Sequence, residues 1–377
     1  MAYKSFKTID DFNLQGKRVL LRVDINSEII NNRPIMSDRI KLHSQTISLL
    51  KKRKAKVIVI AHQSNPGKYD FTSLKNHVRL INKYTKIKFV KDIIGKKAEN
   101  GINNLKDGQA ILLENIRFLK EEFTPSKTNK LTKFFKDKID IYINDSLSVS
   151  HRDQTSITIF PLIFKSAAGP VLINELRNIE KIKFKDSLYI LGGNKIEDVM
   201  LLVNRNILST GLFSVLCLIA EGNNLGLENK ALRKQMKYLK TIKKNLPHIK
   251  TPIDLAFSIK GKRKEINLNE LPTNHLALDI GAKTIEYYKR EIRKARRIFW
   301  KGTAGNIDIK GFSTGTISLL KEIEKSNAFC VIAGGHSSTA IDRFHINRKK
   351  IGYISISGGA LLYYIAGKKL PGLEALK

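Results

Sequence analysis

Short apolar runs recur along the chain, and in its first part each stops at residues able to hold an anion. Arg18 to Val23 gives way to Asp24 and Asn26, and Lys56 to Ala61 gives way to His62. Ala110 to Leu113 runs into Glu114, Asn115 and Arg117, while Ile139 to Ile143 stops at Asn144 and Asp145, just ahead of His151 and Arg152. In the later part the runs meet glycine. Ser187 to Leu191 reaches Gly192 and Gly193, Arg297 to Trp300 reaches Gly302 and Gly305, Phe329 to Ala333 reaches Gly334 and Gly335, and Gly352 to Ser357 reaches Gly358 and Gly359. Strand and helix signals alternate almost throughout, which predicts parallel sheets covered on both faces. In such sheets the ligand crevice lies beyond the carboxyl ends of the strands, so the polar residues are expected to converge there. Glycine at those ends lets backbone N–H groups and the positive end of a helix approach phosphate.

Between the strands, Ser37 is placed to cap a helix burying Ile40, Ile47 and Leu50, and Thr72 to open one carrying Leu74, Val78 and Ile81. The stretch from Ser166 to Lys183 has Leu172, Leu176, Ile179 and Ile182 on one helical face and separates the polar pattern from the glycine pattern. It is the expected hinge. The second domain is expected to alternate strands near residues 187, 212, 251, 275, 297, 329 and 352 with helices. The fold class is therefore α/β, with two doubly wound, Rossmann-like parallel-sheet domains joined by a hinge helix. No internal repeat is evident.

Length agrees, because 377 residues exceed what one hydrophobic core holds. No apolar stretch approaches the ~18 residues of a membrane span and the start lacks a signal-peptide core, so a soluble cytoplasmic protein is expected. Cys217 and Cys330, the only cysteines, sit in apolar runs and are expected as reduced buried thiols, with no structural metal. A net charge of +34 is spread over short clusters such as Lys51 to Lys54, Lys260 to Lys264, Arg293 to Arg297 and Arg348 to Lys350. That field would attract phosphorylated metabolites or polyanions. A general lysine-rich bias is the preferred reading over dedicated nucleic-acid binding, for which no recognition motif is visible.

Several chemistries fall away. There is no G-x-x-x-x-G-K-[ST] loop and no G-x-S-x-G elbow. His151-Arg152-Asp153 imitates a protein-kinase catalytic loop without the rest of that motif set, and His62 and His336 lack partners at metal-ligand spacing. What remains is positioning chemistry, with guanidinium groups holding an anionic substrate and a glycine-lined pocket holding a nucleotide. Phosphoryl transfer suits such a chain, since the protein need only align donor and acceptor and neutralise charge.

The order of the pieces then resembles the phosphoglycerate kinase family. They are Arg-Val-Asp-Ile-Asn at 22 to 26, Ser-Asp-Arg-Ile at 37 to 40, Ala-His-Gln-Ser-Asn-Pro-Gly at 61 to 67 and Leu-Glu-Asn-Ile-Arg-Phe at 113 to 118. Asn-Asp at 144 and 145, His-Arg at 151 and 152, Gly-Gly-Asn-Lys at 192 to 195 and Leu-Pro-Gly-Leu-Glu-Ala-Leu at 370 to 376 complete them. Ala-Gly-Gly-His-Ser at 333 to 337 and Ile-Glu-Asp after Lys195 look like the archaeal branch.

The resemblance implies reversible transfer between 1,3-bisphosphoglycerate with ADP and 3-phosphoglycerate with ATP and Mg²⁺, in glycolysis or gluconeogenesis. It implies a substrate domain at 1–165, a hinge at 166–183, a nucleotide domain at 184–355 and a segment at 356–377 returning to the first domain. Arg22, Asp24, Ile25, Asn26, Arg39, His62, Gln63, Ser64, Asn65, Arg117 and Arg152 would bind 3-phosphoglycerate, with Arg39 facing the transferred group. Lys195, Asp308, Gly334, Gly335, His336 and Ser337 would bind nucleotide, with Arg39 and Lys195 as the catalytic pair and Asp308 on the ribose. Domain closure would expel water. A catalytically impaired relative binding nucleic acid or another polyanion is the alternative, and a kinase for a different small carboxylate a third reading.

Departures from the family pattern matter. Asn65 stands where an arginine is usual, removing a guanidinium from the substrate patch, and Asp308 shortens a glutamate. The usual Asn-Gly-Pro reads Lys301-Gly302-Thr303, and Ser-Thr-Gly-Gly-Gly becomes Ser355-Ile356-Ser357-Gly358-Gly359. Lys301 could supply a compensating phosphate contact.

Overall fold

Val19, Leu20 and Leu21 are all fully buried, as are Val57, Ile58 and Val59. Strands so apolar on both faces need cover on both, and they get it. Val19, Leu21, Val57 and Val59 join one apolar cluster, while Leu20, Ile58 and Ile60 join another, because successive side chains leave a strand on opposite sides. The computed structural model describes residues 2–183 and 186–377. They divide into two compact units, one running to Arg177 and including Gly367–Lys377, the other Asn178–Ala366.

The first unit is built on β1 (Arg18–Arg22), α1 (Asp38–Lys52), β2 (Lys56–Ile60), β3 (Lys88–Phe89), β4 (Ala110–Leu112), β5 (Ile141–Asn144) and β6 (Lys165–Ala168), followed by α2 (Pro170–Ile179). The six strands lie in the order β3-β4-β2-β1-β5-β6 and are parallel throughout. Ser37 caps α1, its hydroxyl accepting from the Ile40 amide, and Ile40, Ile47 and Leu50 face inward. The other expected cap is displaced. Ser73, not Thr72, accepts from the Lys75 amide at 3.2 Å and opens a short 3-10 turn that leads into the helix His77–Ile81.

The stretch from Ser166 to Lys183 is not one helix. Its first residues complete β6, paired with β5, and only Pro170–Ile179 are helical. Pro170 suits the first helical position, where its missing N–H costs nothing. The next amides of that first turn are met by a carboxylate distant in sequence. Asp145 Oδ1 accepts from Val171 N at 2.7 Å and from Leu172 N at 3.4 Å, while its Oδ2 lies 3.0 Å from His43 Nδ1. Gly169 makes room, since a Cβ there would lie 2.2 Å from Asp145 Oδ1. Asp145 thus ties β5, α1 and α2 together.

The second unit contains β7 (Leu188–Leu191), β8 (Ile207–Ser209), α3 (Gly211–Ala220), β9 (Ile249–Lys250), β10 (Asp254–Ile259), β11 (Lys262–Asn267), β12 (Ala277–Ile280), α4 (Ala282–Lys294), β13 (Arg297–Lys301), α5 (Thr314–Lys325), β14 (Phe329–Ala333), α6 (Gly335–Arg343), β15 (Gly352–Ser355) and α7 (Gly358–Ile365). Its parallel sheet runs β9-β8-β7-β13-β14-β15, and β11-β10-β12 form a separate antiparallel sheet. The strand expected near residue 212 is a helix. Phe213, Val215, Leu216, Cys217 and Leu218 are all buried in α3, and a helix apolar all round carries no period to separate it from a strand. The basic cluster Lys260 to Lys264 runs into β11, half of whose residues are exposed, so no apolar alternation marks the strand.

Cys217 and Cys330 are free and buried, and burial raises both thiols well above their ordinary range. No helix among the described residues is long and apolar enough to cross a membrane. Beyond α7, which belongs to the second unit, Gly367–Lys377 belong to the first. There Gly372 N donates to Ser150 O at 2.9 Å.

Asp145→Ala should leave the amides of Val171 and Leu172 unbonded and cost about 1.5 to 3 kcal/mol. Hydrogen exchange is expected to show those amides losing protection while the second unit keeps its own; unchanged protection at Val171 would contradict the capping role.

Candidate functional site

Parallel pairing sets the first-unit site. Arg22, the last residue of β1, sits opposite Ile60 on β2 and Asn144 on β5, so the loop residues after each of these strands are delivered to one edge of the sheet. Arg22 is fully buried. Its Nη1 donates to Val23 O at 2.5 Å, its Nε to Ser156 Oγ at 3.1 Å and its Nη2 to His62 Nδ1 at 3.2 Å. That last bond requires Nδ1 to be the unprotonated nitrogen, which leaves Nε2 as the donor of the His62 ring.

Asp24 accepts at Oδ1 from Asn26 N, at 2.9 Å, and at Oδ2 from the Ser148 hydroxyl. Arg39, from the first turn of α1, places Nη1 3.0 Å from the same Oδ2. Burial on its own would raise the Asp24 carboxyl, but Arg39 foremost, with the Ser148 hydroxyl, holds it well below the usual carboxylate range. With Asp24 buried, this is not an exposed surface ion pair.

Arg117 lies beyond the end of β4 and is buried. Its Nη1 donates to Ser64 O at 2.6 Å and to Asn65 Oδ1 at 3.0 Å, and its Nη2 to Gln154 Oε1 at 3.3 Å. Burial, with Arg22 and Arg152 adding to it, pushes the guanidinium down to about 9, which still leaves it charged at neutral pH. Burial and Arg22 likewise lower Arg152. The Nε groups of Arg117 and Arg152 are both buried without a hydrogen-bond partner. Crowded cations with idle donors describe a site shaped for an anion.

Other expected substrate residues divide by what they touch. Asn26 Oδ1 accepts from Ser64 N at 2.8 Å, and the Ser64 hydroxyl reaches Asp70 at 2.5 Å, so both residues build the loop. Gln63 is buried with its amide spent, Oε1 accepting from Ser27 N at 3.0 Å and Nε2 donating to Ser27 O at 2.9 Å, with His77 Nε2 3.1 Å from Oε1. Ile25 is part of the apolar core. Asn65, in place of a guanidinium, uses its amide oxygen to steer Arg117. Sequence reasoning missed Ser148, Gln154, Ser156 and Glu122. The buried Glu122 carboxylate accepts from Ser156 N at 3.0 Å and Oγ at 2.7 Å; burial raises it and Arg22 opposes that. No local pattern marks these four, because their partners lie far away in sequence.

In the second unit, β13 is flanked by β7 and β14, with Lys301 opposite Leu191 and Ala333. The glycines after β7 and β13 pack on one another. A Cβ on Gly302 would lie 2.2 Å from Gly192 O, so here glycine serves close backbone crossing. Gly334 has φ +106° and precedes α6. Gly335 and His336 start that helix, and their side-chain positions fall outside the described set. Ser337 is buried and its hydroxyl has no partner. Lys195 is exposed ahead of the short helix Ile196–Met200. Asp308 is exposed, 3.1 Å from Arg343 Nη1 at the far end of α6. In the altered loop Ser357 is buried, its amide donating to Ser355 Oγ at 3.1 Å.

Comparison with known proteins agrees with the resemblance. A family model described as phosphoglycerate kinase matches residues 9–368. A protein named phosphoglycerate kinase from Methanothermus fervidus is 38% identical over 99% of this chain and 97% of its own. One from Saccharolobus solfataricus is 36% identical over 100% and 98%. The crystal structure of phosphoglycerate kinase from Pyrococcus horikoshii OT3 superposes with a TM-score of 0.90 at 32% identity, covering 98% of each chain. The Coxiella burnetii enzyme gives 0.81 at 27%, with the same coverage.

Burial, then Arg117 and Arg22, outweigh Asp24 and set the His62 ring well below 6.5, and burial pushes His77 down to about 4. Both rings bind protons more weakly in the folded than in the unfolded chain. Stability should therefore be full above pH 6.5 and fall with acid, by up to ~1.4 kcal/mol per pH unit for each ring. Denaturation of His62→Gln between pH 7 and 5 should give a shallower loss than wild type; equal slopes would contradict the assignment.

Proposed function

The chain belongs to the phosphoglycerate kinase family, and from that premise we propose that it transfers a phosphoryl group reversibly between 1,3-bisphosphoglycerate with ADP and 3-phosphoglycerate with ATP, a step of glycolysis and gluconeogenesis. The observation that carries this reading is the pair of buried, unpartnered Nε groups on Arg117 and Arg152, set among Arg22, Arg39 and His62. A phosphorylated carboxylic acid supplies the missing negative charge and the missing acceptors together. Family membership lends nothing to the polyanion-binding alternative.

In the ATP-consuming direction a carboxylate oxygen of 3-phosphoglycerate attacks the γ-phosphorus. The bond to the bridging oxygen of ADP breaks, and the electron pair leaves with ADP. Arg152 and Arg117 hold the acid, and His62 donates from Nε2. Arg39 turns from Asp24 toward the moving group, whose charge spreads over its equatorial oxygens. Asp24 orients Arg39 and is itself held by Ser148 and the Asn26 amide. Gln63 and Ser64 act through loop shape rather than contact. Lys195, Gly334, Gly335, His336 and Ser337 receive the nucleotide phosphates at the opening of α6. Asp308, exposed and paired with Arg343, is the group proposed for the ribose.

Mg²⁺ enters with the nucleotide as part of the substrate. Among the described residues no cluster of three or more acidic, histidine or cysteine side chains forms a cage of its own, and a hard cation carried by phosphate oxygens and water needs none. In-line transfer requires the two bound substrates to be brought together, and α2 is the helix at which one unit gives way to the other. Movement about it is the proposed closing step.

A coupled assay in both directions tests the reaction, with folded protein and no turnover in either direction counting against it. Arg152→Ala should weaken calorimetric 3-phosphoglycerate binding about ten- to a hundredfold, the worth of a lost charged contact of ~1.5 to 3 kcal/mol. Arg39→Ala should depress turnover more than binding.

A further inference from the structure

Lys301 ends the central strand β13, between two strands that each continue into paired glycines. Its side chain is only 14% exposed, and its Nζ lies 3.5 Å from Asp198 Oδ2. The stem crosses directly over Gly334: a Cβ on that glycine would lie 3.4 Å from Lys301 Nζ and 3.7 Å from Cδ. The ammonium therefore stands at the opening of α6, where the amides of the first turn have no intrahelical acceptor. A second unsatisfied donor waits nearby in sequence, the buried hydroxyl of Ser337.

Charge at this spot is out of balance. Burial lowers Lys301, Asp198 opposes that, and Lys195 adds to it as a second cation. Asp198 offers one loose contact to a group with three donors. Lys195 and Lys301 against Asp198 leave a positive excess beside a helix N-terminus.

We propose that Lys301 grips the terminal phosphate of the bound nucleoside diphosphate, and that Asp198 holds the ammonium in place until the phosphate takes it over. This rests on the kinase reading above and adds a residue and a competitor to it. Asp198 has two opposed effects. It keeps a buried ammonium charged and positioned, and its own charge repels the incoming phosphate. Removing the Asp198 charge should therefore strengthen diphosphate binding, and only while Lys301 is present.

The test is calorimetric titration of adenosine, AMP and ADP, without divalent cation, into wild type, Lys301→Met, Asp198→Asn and the double variant. Lys301→Met should weaken ADP about tenfold or more, with adenosine unchanged. Asp198→Asn should tighten ADP by a factor of about two to ten, and the gain should vanish in the Lys301→Met background, the non-additivity expected of groups acting on one another. Lys301→Asn, which keeps a polar group in the strand end, provides a second variant if methionine disturbs folding. ADP affinity unchanged in both lysine variants would overturn the proposal, as would equal weakening of adenosine and ADP, the mark of a merely structural lysine. Wild-type protein that neither binds ADP nor turns over would instead remove the kinase reading on which it rests.

Discussion

Like charges held together in the interior are the constraint around which the first unit is organised. Arg117 feels Arg22 and Arg152, and Arg152 feels Arg22; in a low-dielectric interior such repulsion is costly unless something offsets it. Glu122 and Asp24 offset part. Glu122 acts on Arg22, with Ser156 hydrogen-bonded to both, and Asp24 acts directly on Arg117 and Arg152. The remainder is left unrelieved within the chain. In the proposed reading, that repulsion and the vacant donors are what a bound anion would relieve.

The second unit solves the opposite problem. Its sheet edge brings backbone close to backbone. Gly192 and Gly302 allow that approach, since no side chain fits between the loops beyond β7 and β13. The same thrift of space lets one long side chain, Lys301, lie across Gly334. A chain that reads as divergent at this loop has thus kept the crossing glycine while changing the group beside it from amide to ammonium.

The parts that could be read from the sequence are those whose causes are local. Ser37 beside a helical apolar stripe is a cap with its reason adjacent, and buried runs ending in charged residues disclose parallel strands and the edge at which they converge. Arg22, Asp24, Arg39, Arg117 and Arg152 were therefore visible as a group. What could not be read depends on partners distant in sequence or on the loss of a period. α3 is buried on all sides, so Phe213 to Leu218 have no polar face to betray a helix. β11 carries four charged residues in six, three of them exposed, so no apolar alternation marks it. Gln63 looks like a ligand contact by its place in the loop, yet Ser27 and His77 occupy it. Asp145, which the sequence shows only as the end of an apolar run, is spent on the amides of α2.

The return of Gly367–Lys377 to the first unit has a consequence for biogenesis. As the polypeptide leaves the ribosome, the sheet of the first unit is synthesised before any of the second, yet it lacks the segment that covers Ser150 and Ile157, against which Gly372 is packed so tightly that a Cβ would lie 2.5 Å from Ile157 Cγ2. The second unit is an uninterrupted stretch, Asn178–Ala366, and can close as soon as it emerges. The lobe begun first is thus sealed last, and an arrested or truncated nascent chain leaves the first unit, rather than the second, incomplete.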